Sequence, residues 1–223
     1  MEKKFIIFLN SLLIITFFMA CQTTYPTDSK NTDDLKKEVG DLKTQMSKDE
    51  YKNQQEVEKT KKTSDLLAES LKNEIQKKQI VINQYRDVLT INISEEIFFD
   101  SGSAEIKKEG FDVLNRIGKI LKNFPDKMIK IEGHTDNVPI ADSHKHTFPN
   151  NWALGATRAI NVVVYFEKDL NIDPVRLEVS SFSKYRPLVP NTSESNRAKN
   201  RRIEIVLINK NMYLYQTTGK KEY

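Results

Sequence analysis

The sequence predicts an α/β protein, a two-layer sandwich with β-α-β-α-β-β order and a mixed four-stranded sheet, preceded by a long helical spacer. Three observations carry that prediction. The hydrophobic period changes near Val88, from a sparse helical spacing to alternation. Amphipathic helical stretches at Glu109–Phe124 and Asn151–Leu170 then separate short β-branched runs. Gly and Pro number only 7 each while 30% of residues are charged, which favours regular elements with a wet surface over low-complexity coil.

The amino terminus comes first. Met1-Glu2-Lys3-Lys4 precedes an apolar run from Phe5 to Ala20, followed by Cys21 and Gln22. A basic start, an apolar centre and a small residue before the break are the parts of an export signal. The run resembles a lipoprotein signal, with residues 1–20 removed and Cys21 acylated as the new first residue. It departs from that pattern at Phe18, where such signals usually carry Leu. An uncleaved anchor helix is the competing reading, but the run falls short of the roughly 20 residues that span a bilayer, and Asn10 interrupts it. By resemblance to lipoprotein sorting, Gln22 directs the chain to the outer membrane of a bacterial envelope. Cys21 is the single cysteine, so an intramolecular disulfide and any cysteine-based zinc cluster are excluded.

Residues 21–32 read as a flexible tether and residues 33–87 as the spacer, rich in Lys, Glu, Gln and Asn. Leu35, Val39, Leu42 and Met46 follow a heptad seam, which turns polar at Asp49, Asn53, Glu56, Thr60 and Thr63. It recovers in a shifted phase at Leu67, Leu71, Ile75, Ile82, Tyr85 and Leu89. An oligomeric coiled coil and a solvated, partly helical spacer both fit. The spacer is favoured because three to four sustained heptads are missing. Fully helical, this stretch would reach roughly 80 Å at 1.5 Å per residue. A homo-oligomer or a protein partner engaged through residues 33–87 is compatible with either reading.

In the domain, residues 88–209, the first strand covers Leu89, Ile91 and Ile93 and runs through Ile97-Phe98-Phe99 to the turn at Asp100-Ser101-Gly102-Ser103. The first helix carries Phe111, Leu114, Ile117, Ile120 and Leu121 at helical spacing and stops at Pro125. Met128 to His134 is the second strand, ending in the polar turn Gly133-His134-Thr135-Asp136-Asn137. Asn150 is placed to cap the second helix, in which Asn151, Gly155 and Arg158 share one stripe. A second stripe of Trp152, Ala156, Ala159, Val163, Phe166 and Leu170 is the expected core face, leaving Arg158 at its rim. Leu177–Phe182 and Ile203–Ile208 supply the third and fourth strands. The tail, residues 210–223, is polar with scattered tyrosines.

At these residues the segment from Ile91 to Ile208 resembles the OmpA-like peptidoglycan-binding domain family, which includes OmpA carboxy-terminal domains, peptidoglycan-associated lipoproteins and MotB stator proteins. The matching motifs are ordered along the chain: Phe98-Phe99-Asp100-Ser101-Gly102-Ser103-Ala104, then Gly133-His134-Thr135-Asp136, then Asn151-x-x-Leu154-Gly155-x-x-Arg158-Ala159, then Asn196-Arg197 and Asn200-Arg201-Arg202-Ile203-Glu204. Gly155 stands where the family usually has Ser. The resemblance implies binding of the peptidoglycan stem peptide, commonly at diaminopimelate, whose side chain ends in an ammonium and a carboxylate on one carbon. It assigns the ammonium to Asp136 and the carboxylate to Arg158, with Thr135, Asn137, Asn151 and Leu154 around them. Arginine suits the second task because its planar fork grips a carboxylate with two parallel hydrogen bonds. A bland reading has Asp136 and Arg158 paired with each other as a structural salt bridge.

Other classes fit less well. A formal net charge of +4 with no long basic block gives nucleic acid little support. No nucleophile elbow, phosphate loop or HExxH pattern is present, so the chain is not expected to be an enzyme, and no cofactor is implied. His134, His144 and His146 lie close to Asp136 and Asp142, but their spacing fits no standard metal-ligand pattern. The loop Val138-Pro139-Ile140 and Phe148-Pro149-Asn150-Asn151-Trp152 resembles the MotB branch; a stator, however, needs a spanning helix with a proton-carrying Asp, and residues 5–20 contain no acid. The function expected is a lipid-anchored outer-membrane protein, facing the periplasm, that tethers the membrane to the wall. The wall's own diamine, whether diaminopimelate or an equivalent, is left open.

Overall fold

A computed structural model describes residues 29–210 and Tyr213. The signal-like run, Cys21 and most of the tail lie outside the described residues. The chain divides between residues 50 and 51 into two units. Helix α1, Ser29–Ser70, begins inside the stretch expected to be a tether and runs through that boundary. In the first unit residues 32–50 are all exposed, the seam residues Leu35, Val39, Leu42 and Met46 included.

The second unit is built on one mixed sheet with strand order β1-β2-β5-β3-β4. The strands are β1 (Ile80–Tyr85), β2 (Val88–Ser94), β3 (Lys127–His134), β4 (Leu177–Ser183) and β5 (Arg202–Asn209). Only the β3–β4 pair is parallel; β1–β2, β2–β5 and β3–β5 are antiparallel. The helices are α2 (Lys72–Gln76), α3 (Glu95–Phe98), α4 (Lys108–Lys122), α5 (Asn151–Lys168) and α6 (Glu194–Asn200).

The sheet has five strands where four were expected. The additional strand, β1, is the stretch Ile80–Tyr85 that read as a shifted heptad, so the spacer is not helical to residue 87. It folds back on β2 through the two residues Arg86 and Asp87, with Tyr85 opposite Val88. Arg86 takes φ +55 and Lys78, just after α2, takes φ +59. Both positions usually signal themselves with Gly or Asn, and here they do not. The first predicted strand is also shorter than expected, because Glu95–Phe98 forms the helical turn α3 rather than continuing β2.

Alternation on each strand places the core. Leu89, Ile91 and Ile93 on β2, Ile203, Ile205 and Leu207 on β5, and Ile129 and Ile131 on β3 are buried and adjoin one another by register. Against them pack Val113, Leu114, Ile117 and Leu121 of α4 and Ala159, Val162 and Phe166 of α5. The last turns of α1 join the same layer: Leu67 and Leu71 are fully buried in that core, and Thr60 and Thr63 are buried beside them. Lys127, at the start of β3, is 2% exposed and ion-pairs with Glu56 of α1 at 3.1 Å, while Asn209 donates to the same carboxylate oxygen at 2.8 Å.

Helix α5 buries Ala159 and Phe166 and packs Val163 and Leu170 on the core as expected, but its first turns are rotated from the expected face. Trp152 is 47% exposed and stacks on Tyr185, while Leu154, Gly155, Arg158, Ala159, Val162 and Phe166 turn inward. The reason is a close approach of backbone to backbone. A Cβ on Gly133 of β3 would lie 2.0 Å from the carbonyl oxygen of Gly155, so the helix rests on the strand where both lack side chains. Asn150 caps the helix as expected, accepting from the Ala153 N–H at 3.0 Å.

Candidate functional site

The end of β3 and the start of α5 meet at one rim of a cleft of about 490 Å³. A register shift between Gly133 and His134 ends the regular ladder, and the Thr135 N–H donates to Ser183 O at 3.0 Å. Ser183 itself takes φ +50 and is buried. The chain then turns through Asp136, whose Oδ1 accepts from the Val138 N–H at 2.9 Å, an Asx-type turn. Asn151 ties the helix to this turn by donating from Nδ2 to Val138 O at 2.9 Å. Asn151 thus holds the loop that presents Asp136.

Arg158 enters the cleft from the second turn of α5 and is 3% exposed, so it is buried rather than at the rim. Its Nε donates to Ser103 O at 2.8 Å, its Nη2 to Glu95 Oε1 at 2.8 Å, and its guanidinium lies 4.9 Å from the centre of the Phe99 ring. This one side chain thus holds Glu95, Phe99 and Ser103, three points on the stretch that leads out of β2. Asn161, a turn further along α5, donates to Ala104 O at 2.7 Å and fixes the same loop.

Asp136 and Arg158 do not pair with each other. Asp136 Oδ2 accepts from Arg201 Nη1 at 2.6 Å, and Arg201 Nη2 reaches Glu194 Oε1 at 2.8 Å. Glu95 stands between the two arginines, with Oε1 on Arg158 and Oε2 3.6 Å from Arg201 Nε. The result is a chain of alternating charge, Arg158–Glu95–Arg201–Asp136. Burial works against the charge on Arg201, but its hydrogen bonds to Asp136 and Glu194 hold its pKa above the ordinary arginine value. Glu194 is held below the ordinary carboxylate range by its hydrogen bonds to Arg201 and Arg197.

Of the residues singled out in the sequence, Asp136, Arg158, Asn151, Thr135 and Leu154 line this cleft. Leu154 also packs with Ala104 and Phe148 in a small apolar cluster. Asn137 is exposed and is not among the lining residues. Glu95, Glu194 and Arg201 were not singled out; Arg201 lay inside a quoted motif, whereas nothing local marked Glu95. The histidines do not assemble as a group, since His134 is buried against Phe182 while His144 and His146 are exposed in the loop.

Chemically, the cleft offers both signs of charge with carboxylates in excess: Glu95, Glu96, Asp136 and Glu194 against Arg158 and Arg201. Such a surface suits a small ligand carrying an ammonium beside a carboxylate, because each end finds an oppositely charged group already fixed in place.

The chain is 36% identical over 120 residues to Motility protein B of Bacillus subtilis, a match spanning 54% of this chain and 45% of that protein. The chain therefore spans about half the length of that relative. A solved MotB-like protein from Desulfovibrio vulgaris superposes with a TM-score of 0.64 at 28% identity, covering 71% of this chain and 96% of the other. The cell wall anchor of the T6SS from Pseudomonas aeruginosa superposes with a TM-score of 0.58 at 29% identity, covering 65% and 97%. The model of the OmpA family matches residues 98–201, the stretch that holds Asp136, Asn151, Leu154, Arg158 and Arg201, so this part of the chain is an OmpA-family domain.

Proposed function

We propose that the cleft binds the stem peptide of peptidoglycan non-covalently and that the protein, acylated at Cys21, tethers the outer membrane to the cell wall from the periplasmic side. The observation that carries this reading is that Asp136 and Arg158 open onto one cleft from different elements without neutralising each other. The ligand's ammonium joins Asp136, sharing that carboxylate with Arg201. Its carboxylate joins Arg158 at Nη1, since Nε and Nη2 already have acceptors. The Glu95 and Ser103 contacts hold the guanidinium in place before the ligand arrives, which lowers the ordering cost of binding. Affinity for a single stem is weak because one zwitterion makes few contacts, and many membrane-held copies act together through avidity. The work is that of a clamp, with no chemical step.

The test is a pull-down of the chain from residue 22 onward with purified sacculi, comparing wild type with Asp136→Ala and Arg158→Ala, each checked for folding by circular dichroism. Starting later, at residue 88, would strip β1, Leu67 and Leu71 from the fold. Loss of a charged hydrogen bond of about 1.5–3 kcal/mol lowers retention at least tenfold in each variant. A folded wild type that stays in the supernatant would refute wall binding.

A second reading, a stator-related wall anchor, is favoured by the similarity to Motility protein B. Among the described residues no helix is long and apolar enough to cross a membrane, and residues 5–20 contain no acid to carry a proton. The absence of an acid from residues 5–20 is the observation that favours wall tethering over torque generation.

A further inference from the structure

The face of the sheet turned away from the helices carries a second cluster, separate from the cleft. Glu132 and His134 lie on β3, two residues apart and therefore on one face. Glu204 lies on β5 directly opposite Glu132. Two carboxylates facing each other across a strand pair repel. Glu132 and His134 are nonetheless buried, with His134 only 2% exposed.

The imidazole is the telling group. Its Nδ1 and Nε2 are both buried and neither has a hydrogen-bond partner among the described residues. A buried polar group in that condition ordinarily costs about 1–3 kcal/mol. Nε2 points between the two carboxylates, 3.6 Å from Glu132 Oε2 and 3.7 Å from Glu204 Oε2, beyond hydrogen-bond length. One ligand atom from each of the three residues fits within 4.8 Å of the others. Bonds of about 2.0–2.2 Å from zinc to nitrogen and oxygen place tetrahedral ligands roughly 3.3–3.6 Å apart. The imidazole–carboxylate separations therefore need to close by only a few tenths of an ångström. Phe182 stacks on the imidazole at 5.3 Å and fixes the plane of the ring.

Two cations border the cluster, and both have other acceptors. Lys130 Nζ holds Glu132 through Oε1 at 3.1 Å, leaving Oε2 toward His134, and it also lies 3.6 Å from Glu178 Oε1. Arg202 donates to Glu204 Oε2 at 3.0 Å, but it also has Asn92 Oδ1, Asn200 O and Arg186 O within 3.4 Å. Turning Glu204 toward a metal leaves Lys130 with Glu178 and leaves Arg202 its neutral acceptors Asn92 Oδ1, Asn200 O and Arg186 O, so the metal must outcompete the Arg202–Glu204 ion pair.

We propose that Glu132, His134 and Glu204 form a binding site for one divalent cation of the zinc class. One imidazole and two carboxylates are borderline-to-hard ligands suited to such an ion, with a fourth position open to water. The ion bridges β3 to β5 at the residue that precedes the Thr135–Asp136 turn, and it gives the buried His134 imidazole the partner it lacks among the described residues.

The test uses the chain from residue 22 onward, stripped with a chelator and titrated with Zn²⁺ in equilibrium dialysis, and with Co²⁺ as a spectroscopic probe. The expected result is one saturable site per chain, a Co²⁺ visible band typical of low coordination, and a rise in Tm with bound Zn²⁺. His134→Ala abolishes the site, and Glu204→Gln, which keeps the shape of the side chain, weakens it at least tenfold. The His144→Ala/His146→Ala double variant binds as wild type. No saturable binding, or binding that survives Glu204→Gln and disappears with the double variant, overturns the proposal.

Discussion

Replacing Gly133 by Ala tests the contact on which the cleft is built. The new Cβ would lie 2.0 Å from Gly155 O, 2.6 Å from its carbonyl carbon and 2.9 Å from its Cα, against an ordinary contact of 3.4 Å or more. All three are backbone atoms of α5, so no side chain can rotate away, and the helix must retreat by more than an ångström. That helix holds Ala159, Val162 and Phe166 in the core, and the overpacking costs about 3 kcal/mol. For a domain of this size that is a fall in Tm of roughly 6–12 °C. Gly155→Ala is the control on the same contact from the other side. Its Cβ would meet the Ser181 hydroxyl at 2.6 Å and Gly133 O at 3.2 Å; the hydroxyl can turn at the loss of its bond to Trp152 O, and Ala restores about 1 kcal/mol of helix propensity. Gly118→Ala would meet Leu170 Cδ1 at 2.2 Å, the movable end of a partly buried side chain. Urea unfolding followed by circular dichroism should therefore rank Gly133→Ala far below the other two, each of which stays within about 1 kcal/mol of wild type. A Gly133→Ala domain as stable as wild type would refute the close-approach argument.

Two further outcomes are expected. Cys21→Ala releases the protein from the membrane fraction and removes the mass of the acyl chains; an unchanged mass with retained membrane association would count against lipidation. Glu56 is held below the ordinary glutamate range: burial raises its pKa, but hydrogen bonds from Lys59, Lys127 and Asn209 outweigh it. A folded-state pKa below the unfolded value contributes stability above about pH 4.3 that is lost as pH falls through the folded value. Glu56→Gln, which leaves the buried Lys127 unpaired, costs about 3 kcal/mol near neutrality and flattens the acid limb of the stability curve; an unaltered acid limb in urea unfolding would refute this account.

Much of the fold was legible because its elements are strongly periodic and punctuated. Asn150, Pro125 and the alternation of Ile129 and Ile131 marked helix start, helix stop and strand without ambiguity. Strand β1 was hidden for a physical reason: its flanking left-handed residues are Lys78 and Arg86, so the usual turn punctuation is absent, and Ile82 and Tyr85 fell by chance on a heptad count. The core face of α5 was legible at Ala159, Val163, Phe166 and Leu170 but misjudged at its start, because counting apolar residues rewards Trp152 and ignores Gly155, whose contribution is the space it leaves. At the site, Asp136, Asn151, Leu154 and Arg158 were legible from motif order, whereas Glu95 lies 63 positions from Arg158 and is brought to it only by the packing of α5 on the sheet. Asn137 shares the motif turn but faces solvent.

The docking of the last turns of α1 has a mechanical consequence. In the tethering role proposed above the chain would carry load, and tension entering the second unit from its amino-terminal side would arrive along α1. The first long-range contacts of that helix are Glu56 with Lys127 and Asn209, followed further on by Leu67 and Leu71 in the core. These attachments lie in series along one rigid element and are sheared together, whereas a force applied at β1 would unzip its ladder one hydrogen bond at a time. Glu56 is the first of these attachments along the helix, so the ion pair expected to shape acid stability would also be the first to take up load.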